Sequence, residues 1–372
     1  MPALSLAPAL SLLATLGRVS PAQPFRTLIR STSRRFNPPR LEPLSSAPGP
    51  AVRAALARGE GRPEALASVR REARRGPHPT LVLGGFVPEA HEQVYVVRGY
   101  LARQGSVYYL DYPKTDFSLP LFAAQLEDLV ADIAAREGAA PVILAVSFGA
   151  GLVLDWLRRA RLAGRTHAAL AGLILVSPVT CAADILAPGE PKPSTLLGRA
   201  LRPLLDATAS GAPAALEKAR ALFLRMFEAG AQNREALATL LTKSEFAELR
   251  AGVAASIEGL GADGALARVR ALRALACPST YLTPELLPLS TAPALILYAE
   301  KEGSVLCEAS PARAALERAG RAFFPRGETK VVANPRGNPV QHASLVFHAE
   351  NFLPHFGTFY RRLKYRKALV SA

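Results

Sequence analysis

The sequence predicts an α/β protein: a mostly parallel β-sheet with helices on both faces, interrupted in its second half by a helical insertion. Three observations carry that expectation. Short apolar runs rich in Val, Ile and Leu alternate with amphipathic segments of helical length from Thr80 to Pro178. The alternation resumes after residue 290, beyond a strand-poor interval. Gly or Pro punctuates most of the changes. Strands that are apolar throughout are those buried on both faces, and strand–helix alternation implies right-handed crossovers and parallel pairing.

Taken in order, residues 1–77 read as a basic, partly disordered extension. They hold 13 arginines against Glu42, Glu60, Glu64 and Glu72, so most of the net charge of +15 belongs to them. The first 41 residues contain six arginines and no acid, a composition that resembles an organellar transit peptide. The favoured reading is a disordered, solvated basic tail with a cytoplasmic location, and organelle targeting is the alternative. "ALSLLATL" (9–16) is too short to span a membrane. With no groove motif and no interleaved aromatics, the charge does not read as a nucleic-acid platform. Weak attraction to anionic membranes is the partner it allows. Residues 32–50 form a Pro/Ser-rich linker, and "AVRAALARGEGRPEALASVRREARR" reads as helical with a break at Gly59–Pro63. No convincing strand precedes Thr80.

The first core part, residues 78–178, supplies four strands: "TLVLGGF", "SVYYLDYP", "PVILAV" and "GLILVSP". Helices are expected in "QVYVVRGYLARQG", "LPLFAAQLEDLVADIAAREG" and "FGAGLVLDWLRRARLAG". Residues 179–290 are rich in Ala, Leu and Arg and read as the insertion. Residues 291–372 resume with "APALILYAE", a helix near Ser310–Gly320, the strand "TKVVAN" and a closing helix. The three cysteines, Cys181, Cys277 and Cys307, have neither a disulfide framework nor a C-x-x-C spacing.

The candidate chemistry lies at one corner. In "PVILAVSFGAGLVLDWLRR" a buried strand passes directly into a helix at Ser147, flanked by Ala145, Gly149, Ala150 and Gly151. A reversal that tight forces strained backbone on the serine, projects its hydroxyl beyond the strand end, and requires slim neighbours. The bland alternative is a serine that merely caps the helix.

Four segments resemble the α/β-hydrolase superfamily, in the expected chain order: "LGGF" (83–86), "AVSFG" (145–149), "LILYAEKEGSV" (295–305) and "QHASLVFH" (341–348). The resemblance covers residues 80–178 and 291–363, roughly half the chain. The resemblance implies Ser147 as nucleophile, His342 as general base, and Glu302 as the acid that orients the imidazole, with Glu300 and then Asp184 as rivals. It also implies backbone N–H donors from Phe86 and Phe148 for an oxyanion. Ala145 departs from the usual glycine of the corner, and Gly84 from a usual histidine. A serine nucleophile argues against epoxide hydrolase or dehalogenase chemistry, which needs a carboxylate. The expected activity is therefore cleavage of a small-molecule ester or thioester, with neither metal nor organic cofactor. An acyltransferase on the same residues and a non-catalytic binding protein of this fold are the alternatives. Residues 179–290 would be the lid, with Phe223, Met226 and Phe227 as pocket residues. His78, His91 and His167 read as loop or surface residues, His348 and His355 as helix-face or core residues, and Arg158 and Arg159 as a solvated face.

Overall fold

The computed structural model describes residues 40–187, 189–190, 192–231, 240–335 and 337–370, without the side chains of 365–370. The transit-like segment and "ALSLLATL" lie outside the described residues. A single eight-stranded sheet runs in the order β1-β2-β4-β3-β5-β6-β7-β8. Its strands are β1 (Glu42–Pro43), β2 (Ser68–Glu72), β3 (Thr80–Leu83), β4 (Val107–Asp111), β5 (Val142–Val146), β6 (Gly172–Val176), β7 (Ala294–Ala299) and β8 (Gly327–Val332). From β4 to β8 every neighbouring pair is parallel, while β1 and β2 add an antiparallel edge.

The six expected strands from Thr80 onward form as read. Every residue of β3, β4, β5, β6 and β7 is buried, as continuous apolar strands in a two-sided sheet must be. The region before Thr80 corrects the sequence reading. Residues 51–75 were expected to be helical, yet only α1 (Pro50–Ala57) is an α-helix there, and "SVRRE" is strand β2. Its charge hides it: Arg70 Nε donates to Asp111 at 2.7 Å and Arg71 Nη2 to Glu137 at 2.7 Å, partners far along the chain.

Between β3 and β4, the helix expected over "QVYVVRGYLARQG" is only partly formed: its first residue ends a short helix, α2 (Ala90–Gln93), and within it only α3 (Arg98–Leu101) is helical. The long helices α4 (Leu119–Glu137) and α5 (Phe148–Leu162) follow β4 and β5. Gly138, at φ +62°, closes α4 in the left-handed conformation that favours glycine. The insertion carries α6 (Leu196–Leu205), α7 (Ala212–Ala231), α8 (Lys243–Glu258) and α9 (Ala262–Ala274). Its buried leucines belong to the same apolar core as the sheet. α10 (Pro311–Phe323) and α11 (Ala349–Val370) complete the chain. No described helix is long and apolar enough to cross a membrane.

The chain visits β4 on one side of β3 and then β5 on the other. Where strand order reverses in this way, the segments leaving two adjacent parallel strands part to opposite faces and leave a crevice at their carboxyl ends. The glycine turn after β3 and the serine corner after β5 both open into that crevice, because Leu83 pairs with Ala145.

Candidate active site

Ser147 has φ +52° and ψ −116°, a conformation an L-residue adopts only under constraint, at a cost of about 1–3 kcal/mol. The constraint is visible on both sides. Its N–H donates to Val176 O at 2.8 Å, and its carbonyl accepts from Val179 N–H at 3.1 Å, so β6 and the loop after it fix the corner. Next to it, a β-carbon on Gly149 would lie 2.4 Å from Gly84 O and 2.8 Å from the Tyr112 hydroxyl. The glycine is required by close approach of the two turns, not by a positive φ. The Ser147 side chain makes no capping bond to its own helix, so the bland reading of the corner does not hold.

Instead, Ser147 Oγ lies 3.0 Å from His342 Nε2, and His342 Nδ1 meets Glu302 Oε2. An ionised carboxylate can only accept, which places the imidazole proton on Nδ1 and leaves the Nε2 lone pair facing the serine hydroxyl. Glu302 is 3% exposed. Burial pushes its carboxyl up, but the facing His342 ring, with hydrogen bonds from His342, Ser177 Oγ (2.7 Å) and Ala299 N–H (2.6 Å), more than reverses this. The net result lies below the ordinary carboxylate range.

The two rival acids have other partners. Glu300 accepts from the N–H groups of Asn334 (2.9 Å) and Val340 (2.7 Å), which hold its carboxyl below its usual range and brace the loop that carries His342. Asp184 is fully buried, accepting from Thr180 and Cys181 on one oxygen and from Ser310 Oγ and Ala312 N–H on the other. It ties the post-β6 loop to the start of α10. Neither bonds to His342.

Phe86, Phe148 and their neighbours lie in the glycine turn after β3 and at the start of α5. A β-carbon on Gly85 would come within 3.3 Å of Ser147 Cβ, so the glycine turn lies against the corner. The Gly85 N–H is taken by Gln93 Oε1 at 2.9 Å. Phe86 follows it, and its ring packs 5.7 Å from that of Phe148. Phe148 is the first residue of α5, so its N–H has no helical carbonyl to reach.

A cavity of about 450 Å³ opens over these groups, within the range that holds a small organic molecule. Its walls are largely apolar. Phe223, Met226 and Phe227 of α7, Val253 and Ile257 of α8, Val305 and Phe347 line it. Among the described residues, Glu92 is the one lining acid.

Four contributors escaped the sequence reading: Ser177, Gln93, Tyr112 and Arg268. Each sits in an unremarkable run ("LVSP", "HEQ", "LDYP", "ARVRA") and acts on residues distant in sequence, so no local signal marks it. His78 and His167 lie in loops as read, His78 buried against Tyr360 and His167 packed on Trp156. Two minor readings are corrected. His91 lies on α2 and bonds Arg98 Nη1 at 3.2 Å. Arg158 and Arg159 both pair with the fully buried Asp155. His348 is a core residue as expected, bonded to Ser344 Oγ and Asn338 O.

No protein-family model matches the chain, and no curated protein matches its sequence. Solved structures do match it. A mutant of an epoxide hydrolase from Bacillus megaterium, complexed with its product, superposes with a TM-score of 0.53 at 12% identity, over 79% of this chain and 97% of that one. An esterase from Exiguobacterium antarcticum gives 0.52 at 15% identity, over 79% and 96%. A putative aryl esterase from Burkholderia cenocepacia gives 0.51 at 16% identity, over 87% and 99%. At these identities the likeness concerns architecture, and with the sheet order and the two turns it leads to one conclusion: the chain has the α/β-hydrolase fold.

Proposed function

We propose that this protein is a serine hydrolase that cleaves a carboxylic ester or thioester through an acyl-enzyme on Ser147. The observation that carries the reading is the continuous line of bonds from Ser147 Oγ through His342 to Glu302, at the floor of an apolar cavity. As Oγ attacks the acyl carbon, its proton passes to His342 Nε2 and the carbonyl electron pair moves onto oxygen. The N–H groups of Phe86 and Phe148 receive that oxyanion. Collapse expels the alcohol or thiol, which takes the proton from His342. Water then repeats the sequence in reverse and frees the acid. Glu302, ionised throughout, stabilises the transient imidazolium.

The reading places the insertion as a lid whose α7 and α8 side chains contact the acyl group. An apolar wall with a single carboxylate, Glu92, favours neutral acyl chains and disfavours anionic ones, because a buried like charge is repelled. The structural match to an epoxide hydrolase does not alter the chemistry proposed, since that reaction needs a carboxylate where this chain has Ser147. Hydrolysis of a p-nitrophenyl ester series by wild type, Ser147→Ala and His342→Ala tests the proposal. The expected result is turnover of neutral short esters, with kcat reduced about 10³-fold or more in both variants. An added alcohol that captures the acyl group faster than water would assign the protein to acyl transfer. Equal turnover in Ser147→Ala would reject the nucleophile.

A further inference from the structure

Arg268 lies on α9 of the insertion, is 5% exposed, and has no ion-pair partner among the described residues. Its guanidinium donates to three main-chain carbonyls instead: Nη1 to Phe86 O at 2.7 Å, and Nη2 to Tyr112 O and Pro113 O at 3.2 Å each. It also stands over two rings, 6.0 Å from the centroid of Phe86 and 5.2 Å from that of Tyr112. Burial lowers its pKa to about 10, against the pull of Tyr112, Glu89 and Asp111, so it remains a cation at neutral pH.

A buried cation in contact with carbonyl oxygens and ring faces but with no carboxylate is an expensive way to hold a helix in place, and an apolar side chain would pack there without the cost. Its contacts indicate what it does. The glycine turn is held at three points. Tyr112 donates its hydroxyl to Gly84 O at 2.8 Å, Gln93 accepts the Gly85 N–H, and Arg268 grips both the carbonyl and the ring of Phe86. With the carbonyl and the side chain of Phe86 both fixed, its N–H has little freedom left.

We propose that Arg268 is a positioning residue for the reaction: from the insertion, it sets the orientation in which the Phe86 N–H meets the oxyanion. The insertion then does more than cover the cavity, because the donor pair is complete only while α9 is docked. This inference rests on the proposed hydrolase reading and adds to it.

The test is steady-state and burst kinetics of wild type, Arg268→Met, Arg268→Lys and Arg268→Gln with a neutral p-nitrophenyl ester. Rates are normalised to active sites titrated by the burst, and thermal unfolding is followed in parallel. Arg268→Met is expected to lose about 10–100-fold in kcat per titrated site, with KM changed less than about threefold, somewhat under the loss seen when an oxyanion donor is itself removed. Arg268→Lys, which can still donate to Phe86 O, is expected to recover at least half of that loss on a logarithmic scale. Unchanged kcat per titrated site in Arg268→Met, with only a lower Tm, would overturn the inference and leave the hydrolase reading standing. If Arg268→Met does not fold, the same criterion applies to Arg268→Lys and Arg268→Gln: full activity per site in both overturns it. Failure of a fluorophosphonate to label Ser147 in folded wild type would overturn both.

Discussion

Glu302 and Ser177 determine how the histidine is held. The Ser177 hydroxyl donates to Glu302 Oε1 and accepts the Ala343 N–H at 3.2 Å, so one buried oxygen aligns the acid and the loop carrying His342. Ser177→Ala leaves that N–H and one carboxylate oxygen short of a partner. It is expected to cost about 1–3 kcal/mol in urea unfolding, with kcat reduced less than about tenfold, since Glu302 keeps its bonds to His342 and Ala299. Glu302→Gln goes further, because an amide presents a wrong donor or a weaker acceptor to Nδ1. It is expected to lower kcat about 10³–10⁴-fold while leaving KM nearly unchanged. The Glu302 carboxyl titrates below its ordinary range, so its stabilising contribution is present above the unfolded carboxylate pKa and is lost as pH falls through the lower folded value. Chemical denaturation of wild type and Glu302→Gln at several pH values checks this. The stability difference should shrink as pH falls below about 4.

At the scale of elements, the approach of α5 to the β3 turn decides whether the corner can form. Gly149→Ala would force its methyl onto Gly84 O and the Tyr112 hydroxyl, two groups that themselves fix the glycine turn. The expected outcome is about 1–3 kcal/mol of destabilisation in thermal unfolding, together with slower labelling of Ser147 by a fluorophosphonate. This part of the site was legible in the sequence, since slim residues around a serine between an apolar strand and a helix have a local physical cause. The strands from β3 to β7 were legible for the same reason, their burial being written as unbroken apolar runs. β2 was not, because its arginines look like a solvated helix until Asp111 and Glu137 are brought beside them. The run 93–105 looked like one helix because its apolar spacing continues through Tyr95–Val97, where the backbone turns between α2 and α3. Choosing among Glu300, Glu302 and Asp184 needed three dimensions, as all three follow strand ends and only the loop carrying His342 selects one.

The whole molecule joins a rigid sheet to an insertion that supplies one wall of the cavity and, through Arg268, a grip on the glycine turn. Its pH response has a second source, away from Ser147. Asp111 ends β4 beside Arg70, and burial raises its pKa to about 6, with Glu89 and Glu92 adding to the shift and Arg70 opposing it. A carboxyl whose folded pKa lies above the unfolded value loses stability as pH rises between the two. Wild type is therefore expected to lose up to roughly 3 kcal/mol relative to Asp111→Asn between about pH 4 and pH 7. Urea unfolding of the two proteins across that range measures it.

Rapid mixing with p-nitrophenyl butyrate, acid quench and peptide mass mapping shows whether the acyl group becomes bonded to Ser147 Oγ. A burst of p-nitrophenolate equal to the enzyme concentration and a butyryl mass increment on the peptide containing Ser147 are expected, both absent in Ser147→Ala. Turnover without acylation of that peptide, or acylation at another residue, would contradict the acyl-enzyme on Ser147.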